Sequence, residues 1–376
     1  RDFIKEWYPE DSDGDIHKVQ LWFEFDDLAS SFTAVGANLA NYLTTGGVKK
    51  LARYRWTWAK RSYGNDANNY TNLFALVDTV NTSATGEAYT RTIQSSIDVE
   101  QWYKTHTVEH IVGNNDSYSY GGGQNMYAYK PPHGLWNLLI WDIDFAFFAQ
   151  GATSDLFSIG GANTGPINTH PPFARIYWQA LIQAANGPLQ SSQSNKILDA
   201  RYNAFRADGI GPASPQSIKD FIATRRQYIL GLVQNNSLPF EITGGADFST
   251  NRNLIVLTGT APLEVRIITV NGIPYDAIWT TLSNWTIRVP LNRGINNLNV
   301  QGLTPDGELV SSATDSISIE FTGIDESPQG KVVINEIMYN PVIPRTSYIE
   351  IYNSSTNNAF DLSGWRIDGV GFTFEP

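Results

Sequence analysis

The chain has 376 residues, 26 Lys and Arg against 37 Asp and Glu, and no cysteine. That length exceeds one small core and leads to an expectation of two or three domains, while 41% hydrophobic residues exclude global disorder. A net charge of −11 argues against general binding to nucleic acid or anionic lipid, and the missing cysteines exclude disulfides, thiolate metal sites and cysteine nucleophiles.

In chain order, the sequence begins at Arg1 without a Met or a signal peptide, and it stops within strand-like alternation at residues 371–376, so both ends read as cut. No run of about 18 apolar residues occurs, and no membrane span is expected. Asp11-Ser12-Asp13-Gly14-Asp15 hints at a calcium loop. Gly stands fourth and Trp22 twelfth, however, where an EF-hand needs Gly sixth and Glu twelfth, so a turn fits better. Residues 16–25 alternate as one strand. Lys49, Lys50, Arg53, Arg55, Lys60 and Arg61 form a basic cluster that reads as a solvated helix face, with phosphate or an acidic substrate as the alternative. The run Tyr54-Arg55-Trp56-Thr57-Trp58 reads as core rather than as a carbohydrate platform.

Asp98-Val99-Glu100-Gln101 fits a capping box, with the Asp98 side chain accepting from a first-turn amide and Gln101 reaching back. A helix then runs through Trp102, His106 and His110 and stops at Gly113. Asn114-Asn115-Asp116 opens a polar loop that Gly121-Gly122-Gly123 extends. Asn125 directly precedes the strand 126–130, Pro131-Pro132-His133-Gly134 turns, and an apolar strand over 135–141 ends in Asp142-Ile143-Asp144. Helices are expected over 173–185, 192–207 and 217–235. Near Ser237-Leu238-Pro239 the pattern changes to short strands punctuated by Asn271-Gly272, Arg293-Gly294, Asp306-Gly307 and Gln329-Gly330, which predicts a β-sandwich over 237–323. A linker over 324–330 and a further β unit over 331–376 follow.

The chemistry concentrates between the long helix and Asp144. Protein kinases place a catalytic-loop Asp after a helix, a metal-binding Asn before a hairpin and a magnesium-binding Asp after its second strand. Phosphoryl transfer needs a carboxylate to orient or accept the proton of the attacking hydroxyl, and hard oxygen ligands to hold Mg²⁺ on the phosphates. Here Asn125 lies nine positions after Asp116 instead of five, and the glycine insert can absorb the difference. The stretches 112–118, 124–129 and 140–145 together resemble the CotH family of spore-coat and surface-protein kinases, which have an atypical kinase-like fold. Leu51-Ala52-Arg53-Tyr54-Arg55-Trp56, Tyr70-Thr71-Asn72-Leu73-Phe74 and Arg225-Arg226-Gln227-Tyr228 fit the same resemblance, which covers residues 1–236. It implies phosphorylation of protein Ser or Thr with ATP and Mg²⁺ or Mn²⁺. It also implies Asp116 as the catalytic Asp, Asn125 and Asp142 as metal ligands, and Asp144 as a secondary ligand. No G-x-G-x-x-G precedes Asp116, and Lys5 and Lys18 lack the context of the kinase strand lysine.

His106-Thr107-Val108-Glu109-His110 is a competing H-x-x-E-H pattern, in which two His one turn apart bind Zn²⁺ and Glu109 serves as base of a metalloprotease. It lacks an obvious third ligand, since no Glu occurs between Glu109 and Glu241. At the C-terminus, residues 238–323 resemble the Ig-like modules of exported bacterial proteins. Val333-Ile334-Asn335-Glu336-Ile337-Met338-Tyr339-Asn340-Pro341, Tyr348-Ile349-Glu350-Ile351-Tyr352-Asn353 and Asp361-Leu362-Ser363-Gly364-Trp365 resemble a lamin-tail domain. About half of such a domain would be present, leaving strand edges to be covered from elsewhere.

The sequence thus leads to an α+β chain, an atypical protein-kinase-like domain (mostly large lobe) over 1–236 followed by all-β Ig-like sandwich modules. The expected function is an exported bacterial kinase acting on protein substrates, with surface-layer or coat proteins as partners and no role for nucleic acid. The alternative is a non-catalytic surface protein built on a kinase-like scaffold.

Overall fold

A computed structural model describes residues 2–26, 31–62, 66–159, 164–341 and 347–374. The chain is mixed α+β and divides into two compact units, residues 1–237 and 238–376.

In the first unit, α1 (Asp2–Trp7), β1 (Asp15–Val19), β2 (Trp22–Asp26) and β3 (Ser31–Val35) come first. They are followed by α2 (Leu51–Arg55), β4 (Trp58–Lys60), α3 (Thr71–Val80), α4 (Gly86–Gln94) and α5 (Val99–Ile111). The hairpin of β5 (Met126–Lys130) and β6 (Asn137–Ile140) leads to α6 (Gly165–Thr169), α7 (Pro171–Asn186), α8 (Ser191–Ala207) and α9 (Gln216–Asn236). An antiparallel sheet of order β4-β1-β5-β6 organises this unit. Its period-two alternation buries His17, Val19, Met126, Ala128 and Leu138 completely on one face, while Lys18 and Tyr127 stand opposite each other on the other.

The single strand expected over 16–25 is two strands in different sheets. After Val19 the backbone amide of Gln20 donates to the Thr57 carbonyl at 3.0 Å, and its side chain donates to the Trp56 carbonyl at 3.0 Å. These bonds end β1 in the main sheet, and among the described residues β2 pairs only with β3. Trp22 then stacks on Trp56, with ring centroids 4.4 Å apart. Alternation reports an extended backbone and not the identity of its partner, so the sequence pattern runs unbroken through the switch.

Helix α5 starts where a cap is expected, since the Asp98 carboxylate accepts from the Gln101 amide at 3.0 Å. The Gln101 side chain does not return to the cap. Its Oε1 accepts from the Leu138 amide at 2.8 Å and its Nε2 donates to the Leu138 carbonyl, so it docks α5 onto β6. Trp102 adds an indole bond to the Trp136 carbonyl at 2.8 Å. On its other side α5 packs against α7, which leaves it buried nearly all round despite its polar sequence.

The second unit is a sandwich. Its strands are β7 (Glu241–Ile242), β8 (Phe248–Thr250), β9 (Leu254–Thr260), β10 (Ile267–Val270), β11 (Ile273–Tyr275), β12 (Ile278–Trp279), β13 (Asn284–Pro290), β14 (Gly294–Leu303) and β15 (Leu309–Phe321). One sheet has the order β11-β10-β14-β15-β8 and the other β12-β13-β9-β7. Inward positions such as Leu257, Ile268, Trp285, Val300 and Ile319 fill the space between them. Beyond it lie the antiparallel pairs β16 (Val332–Met338) with β17 (Tyr348–Asn353) and β18 (Arg366–Ile367) with β19 (Phe372–Thr373). The Asn253 side chain exchanges two hydrogen bonds of 2.7 Å with the backbone of Ala359, and Asn358 donates to the Ile324 carbonyl at 2.8 Å. These bonds join the last stretch to the sandwich. No helix among the described residues is long and apolar enough to cross a membrane.

Candidate phosphotransfer site

The site grows from the end of α5. Gly113 takes φ 71°, a left-handed turn open to glycine at little cost, and a Cβ there would meet the Gln150 Cβ at 3.0 Å. The reversal lets the Asn114 amide donate to the Glu109 carbonyl at 2.9 Å, while the Asn114 side chain donates to Glu109 Oε2 at 2.6 Å. Two residues on, Asp116 is half-buried. The Asn125 Nδ2 group donates to the Asp116 carbonyl at 2.7 Å and to its Oδ2 at 3.0 Å, and the Gln124 amide donates to its Oδ1. Gly123 closes the loop at φ 64°, where a Cβ would meet the Ala37 nitrogen at 2.5 Å, and its carbonyl accepts from the Ala37 amide at 2.9 Å. The glycine insert therefore does more than lengthen the loop. It lets the backbone press onto residues 36–37.

Asn125 itself has φ 57°, a conformation Asn tolerates better than most side chains. The hairpin register pairs Met126 with Ile140, so Asn125, just before β5, and Asp142, just after β6, belong to the same end of the hairpin. Asp142 also stands at φ 56°. Two non-glycine residues in this sparsely populated region at one hairpin end match the way strained backbone gathers at working sites. Asp142 and Asp144 are exposed. The segment after them is tied down, since the Phe147 amide donates to the Val112 carbonyl at 2.6 Å. Arg225, fully buried on α9, donates to the Gly151 and Ser154 carbonyls at 2.8 Å each.

The structure thus brings Asp116 and Asn125 into direct contact and sets Asp142 at their end of the hairpin. Sequence reading missed three supports: Gln124 on the Asp116 carboxylate, the Glu109–Asn114 pair beneath the loop, and Arg225 behind the post-Asp144 segment. The Gln124-Asn125 dipeptide was a usable signal, because adjacent amides beside a loop carboxylate are suited to hold it. The other two depend on tertiary packing. Lys18, on β1, carries its Nζ 5.9 Å from the Trp141 ring centroid, next to Asp142.

The chemistry of the donors suits a hard divalent cation. Asn125 commits its Nδ2 to Asp116, and no side chain or backbone group among the described residues donates to its Oδ1 or to the Asp142 and Asp144 carboxylates. Among the described residues, no three His, Asp or Glu side chains converge to hold a metal by themselves. An ion here therefore calls on the Asn125 oxygen and on oxygens of the ligand as well as on carboxylate.

The zinc reading of His106, Glu109 and His110 is corrected by the same observation. Both His are buried, His110 stacks on Tyr120 with ring centroids 3.9 Å apart, and Glu109 serves Asn114. Burial pushes His106 down to about 3 and His110 down to about 4. Burial also pushes the Glu109 carboxyl up to about 7, against the Asn114 hydrogen bond.

In the basic cluster, Lys49 pairs with Asp78 at 2.5 Å and Lys60 with Asp15 at 2.7 Å, and Arg53 lies 4.8 Å from the Tyr42 ring centroid. These contacts give Lys49, Arg53 and Lys60 a structural role. Asp11 to Asp15 form a turn against β5, with the Gly14 amide donating to the Tyr129 hydroxyl at 3.2 Å. Tyr54 and Trp58 are fully buried, and of the aromatic residues in that run only Trp56 is open, at 47%.

A helix, a loop carboxylate held by an asparagine, a hairpin and a second carboxylate at its end fit a kinase-like domain. The CotH kinase protein model matches residues 9–206, more than half of the 376, and the Lamin Tail Domain model matches residues 325–376. The chain belongs to the CotH kinase family and carries a lamin tail domain. No curated protein shows significant similarity to it.

Proposed function

We propose that the first unit transfers the γ-phosphate of ATP to Ser or Thr of protein substrates. The observation that carries this reading is the grip of Asn125 on Asp116 with Asp142 at the same hairpin end. Asp116 orients the acceptor hydroxyl and takes its proton, and the Gln124 and Asn125 amides keep its carboxylate pointed. Asn125 and Asp142 offer hard oxygens for Mg²⁺ or Mn²⁺, with Asp144 as a further donor. When bound, the ion and nucleotide supply charge neutralisation and the phosphoryl group. The cysteine-free, lightly charged composition and the C-terminal β modules support an exported or cell-surface protein of bacteria, with surface-layer or coat proteins as acceptors.

The test is incorporation of labelled γ-phosphate into Ser-containing protein with Mg²⁺ or Mn²⁺. Asp116→Ala and Asp142→Ala should each lower it by about 10²–10⁴-fold, the usual range for a lost acid–base or charge-stabilising group. Equal incorporation by the wild type and both variants favours the second reading, a non-catalytic surface scaffold. That reading draws on the exposure of Asp142 and Asp144 and on the absence, among the described residues, of a carboxylate cluster that binds metal alone.

A further inference from the structure

Glu109 is the member of the H-x-x-E-H pattern whose carboxyl hydrogen-bonds to the Asp116 loop, while His110 stacks on Tyr120 of the same loop. Glu109 lies in the last turn of α5 with 0% exposure, and its partner Asn114, in the loop beyond the helix, is equally buried. Asn114 is held twice by this single residue, through the Glu109 backbone carbonyl at 2.9 Å and through Oε2 at 2.6 Å. Glu109 Oε1 has no hydrogen-bond partner. A buried carboxyl with an unmatched oxygen costs free energy, and a leucine would fill the same volume without that cost. What the carboxyl alone provides is an acceptor for the loop. The loop needs one, because Gly113 reverses the chain directly after the helix and Asp116 follows Asn114 by two residues. At its far end the loop is held by Asn125 on Asp116 and by Gly123 on Ala37. Asp116 therefore sits between two clamps, and Glu109 is the anchor of the one on the helix side.

We propose that Glu109 is a positioning residue that fixes the Asp116-bearing loop by clamping Asn114. Its catalytic consequence rests on the phosphotransfer reading; its structural consequence does not. Glu109→Gln preserves the acceptor, Glu109→Ala removes it, and Asn114→Ala removes the donor from the loop side.

The experiment measures hydrogen exchange of residues 113–125 in the full chain, alongside kcat and KM for ATP. Glu109→Ala and Asn114→Ala should each raise exchange across 114–117 by at least about ten-fold, with the double variant no worse than the singles. Glu109→Gln should stay near the wild type. Phosphotransfer should lose at least about ten-fold in kcat in the two alanine variants, with KM for ATP within about three-fold, and Glu109→Gln should restore it. Unchanged exchange in both alanine variants overturns the proposal, as does an equal loss in the Gln and Ala variants. If Glu109→Ala does not fold, judged by its helical circular dichroism, Asn114→Ala decides. A wild type without phosphotransfer but with the expected exchange pattern removes the kinase reading and leaves the clamp established.

Discussion

Two left-handed glycines separate the effect of backbone strain from that of close packing. Gly47 and Gly123 have φ values of 78° and 64°, but an added Cβ meets nothing within 4 Å at Gly47 and the Ala37 nitrogen at 2.5 Å at Gly123. Alanine at either position bears the cost of positive φ, of order 1 kcal/mol. Gly123→Ala must also push residues 36–37 away, so it should cost clearly more than Gly47→Ala in urea denaturation. Equal losses would mean that the loop does not need its approach to Ala37. At the same scale, Gln124→Ala removes one of the two amides on the Asp116 carboxylate. A charge-assisted bond of about 1.5–3 kcal/mol predicts a fall in phosphotransfer of roughly ten-fold or more, read as kcat, with the fold unaffected.

Among elements, the attachment of α5 to β6 rests on side chains that the sequence assigns elsewhere. Gln101 matches both backbone groups of Leu138, a residue with no exposure, and also donates to Thr105 at 3.1 Å. Gln101→Leu would leave the Leu138 amide without a partner and its carbonyl with the Thr105 hydroxyl alone, at a cost of about 1–3 kcal/mol in unfolding free energy. A loss under about 0.5 kcal/mol would show that water replaces the side chain. The case also marks how far the sequence could be read. The start of α5 at Asp98, its stop by Gly113, the hairpin and the three later helices follow from caps, glycines and periodicity, all of which act within a few residues. Asp116 and Asn125 are legible as a pair because the loop that joins them is short. The target of Gln101, the switch of sheets at Gln20 and the Glu109–Asn114 clamp each depend on which backbone group lies opposite after folding. Pattern carries no record of that.

Across the whole molecule, titration divides along the chain. All five histidines fall within residues 1–237, as does every helix among the described residues. Burial pushes His17 and His110 down to about 4 and His106 to about 3, each from 6.5. Between pH 6.5 and about 4 the unfolded chain binds a proton at each of these sites that the folded chain refuses. Their contribution is thus present above 6.5 and lost as pH falls. Glu109 acts with the opposite sign, because burial raises it from 4.5 to about 7 and the folded state holds the extra proton between those values. Three histidines against one carboxyl leave two net protons in favour of the unfolded state from pH 6.5 to 4.5, and burial that lowers the half-buried His170 acts in the same direction. At about 1.4 kcal/mol per proton and pH unit, stability should fall by up to about 3 kcal/mol per unit in that window. Helical ellipticity at 222 nm reads the first unit alone within the full chain, so its urea midpoint should drop steeply between pH 6.5 and 5. His106→Phe and His110→Phe should each flatten that slope by up to about 1.4 kcal/mol per pH unit, one linked proton each. The β-sandwich has no histidine to protonate, and its own transition, followed by hydrogen exchange of the backbone amides of residues 254–321, should hold nearly constant over the same range. Parallel shifts of both signals would place the acid sensitivity outside the buried histidines, in carboxylates common to the two units.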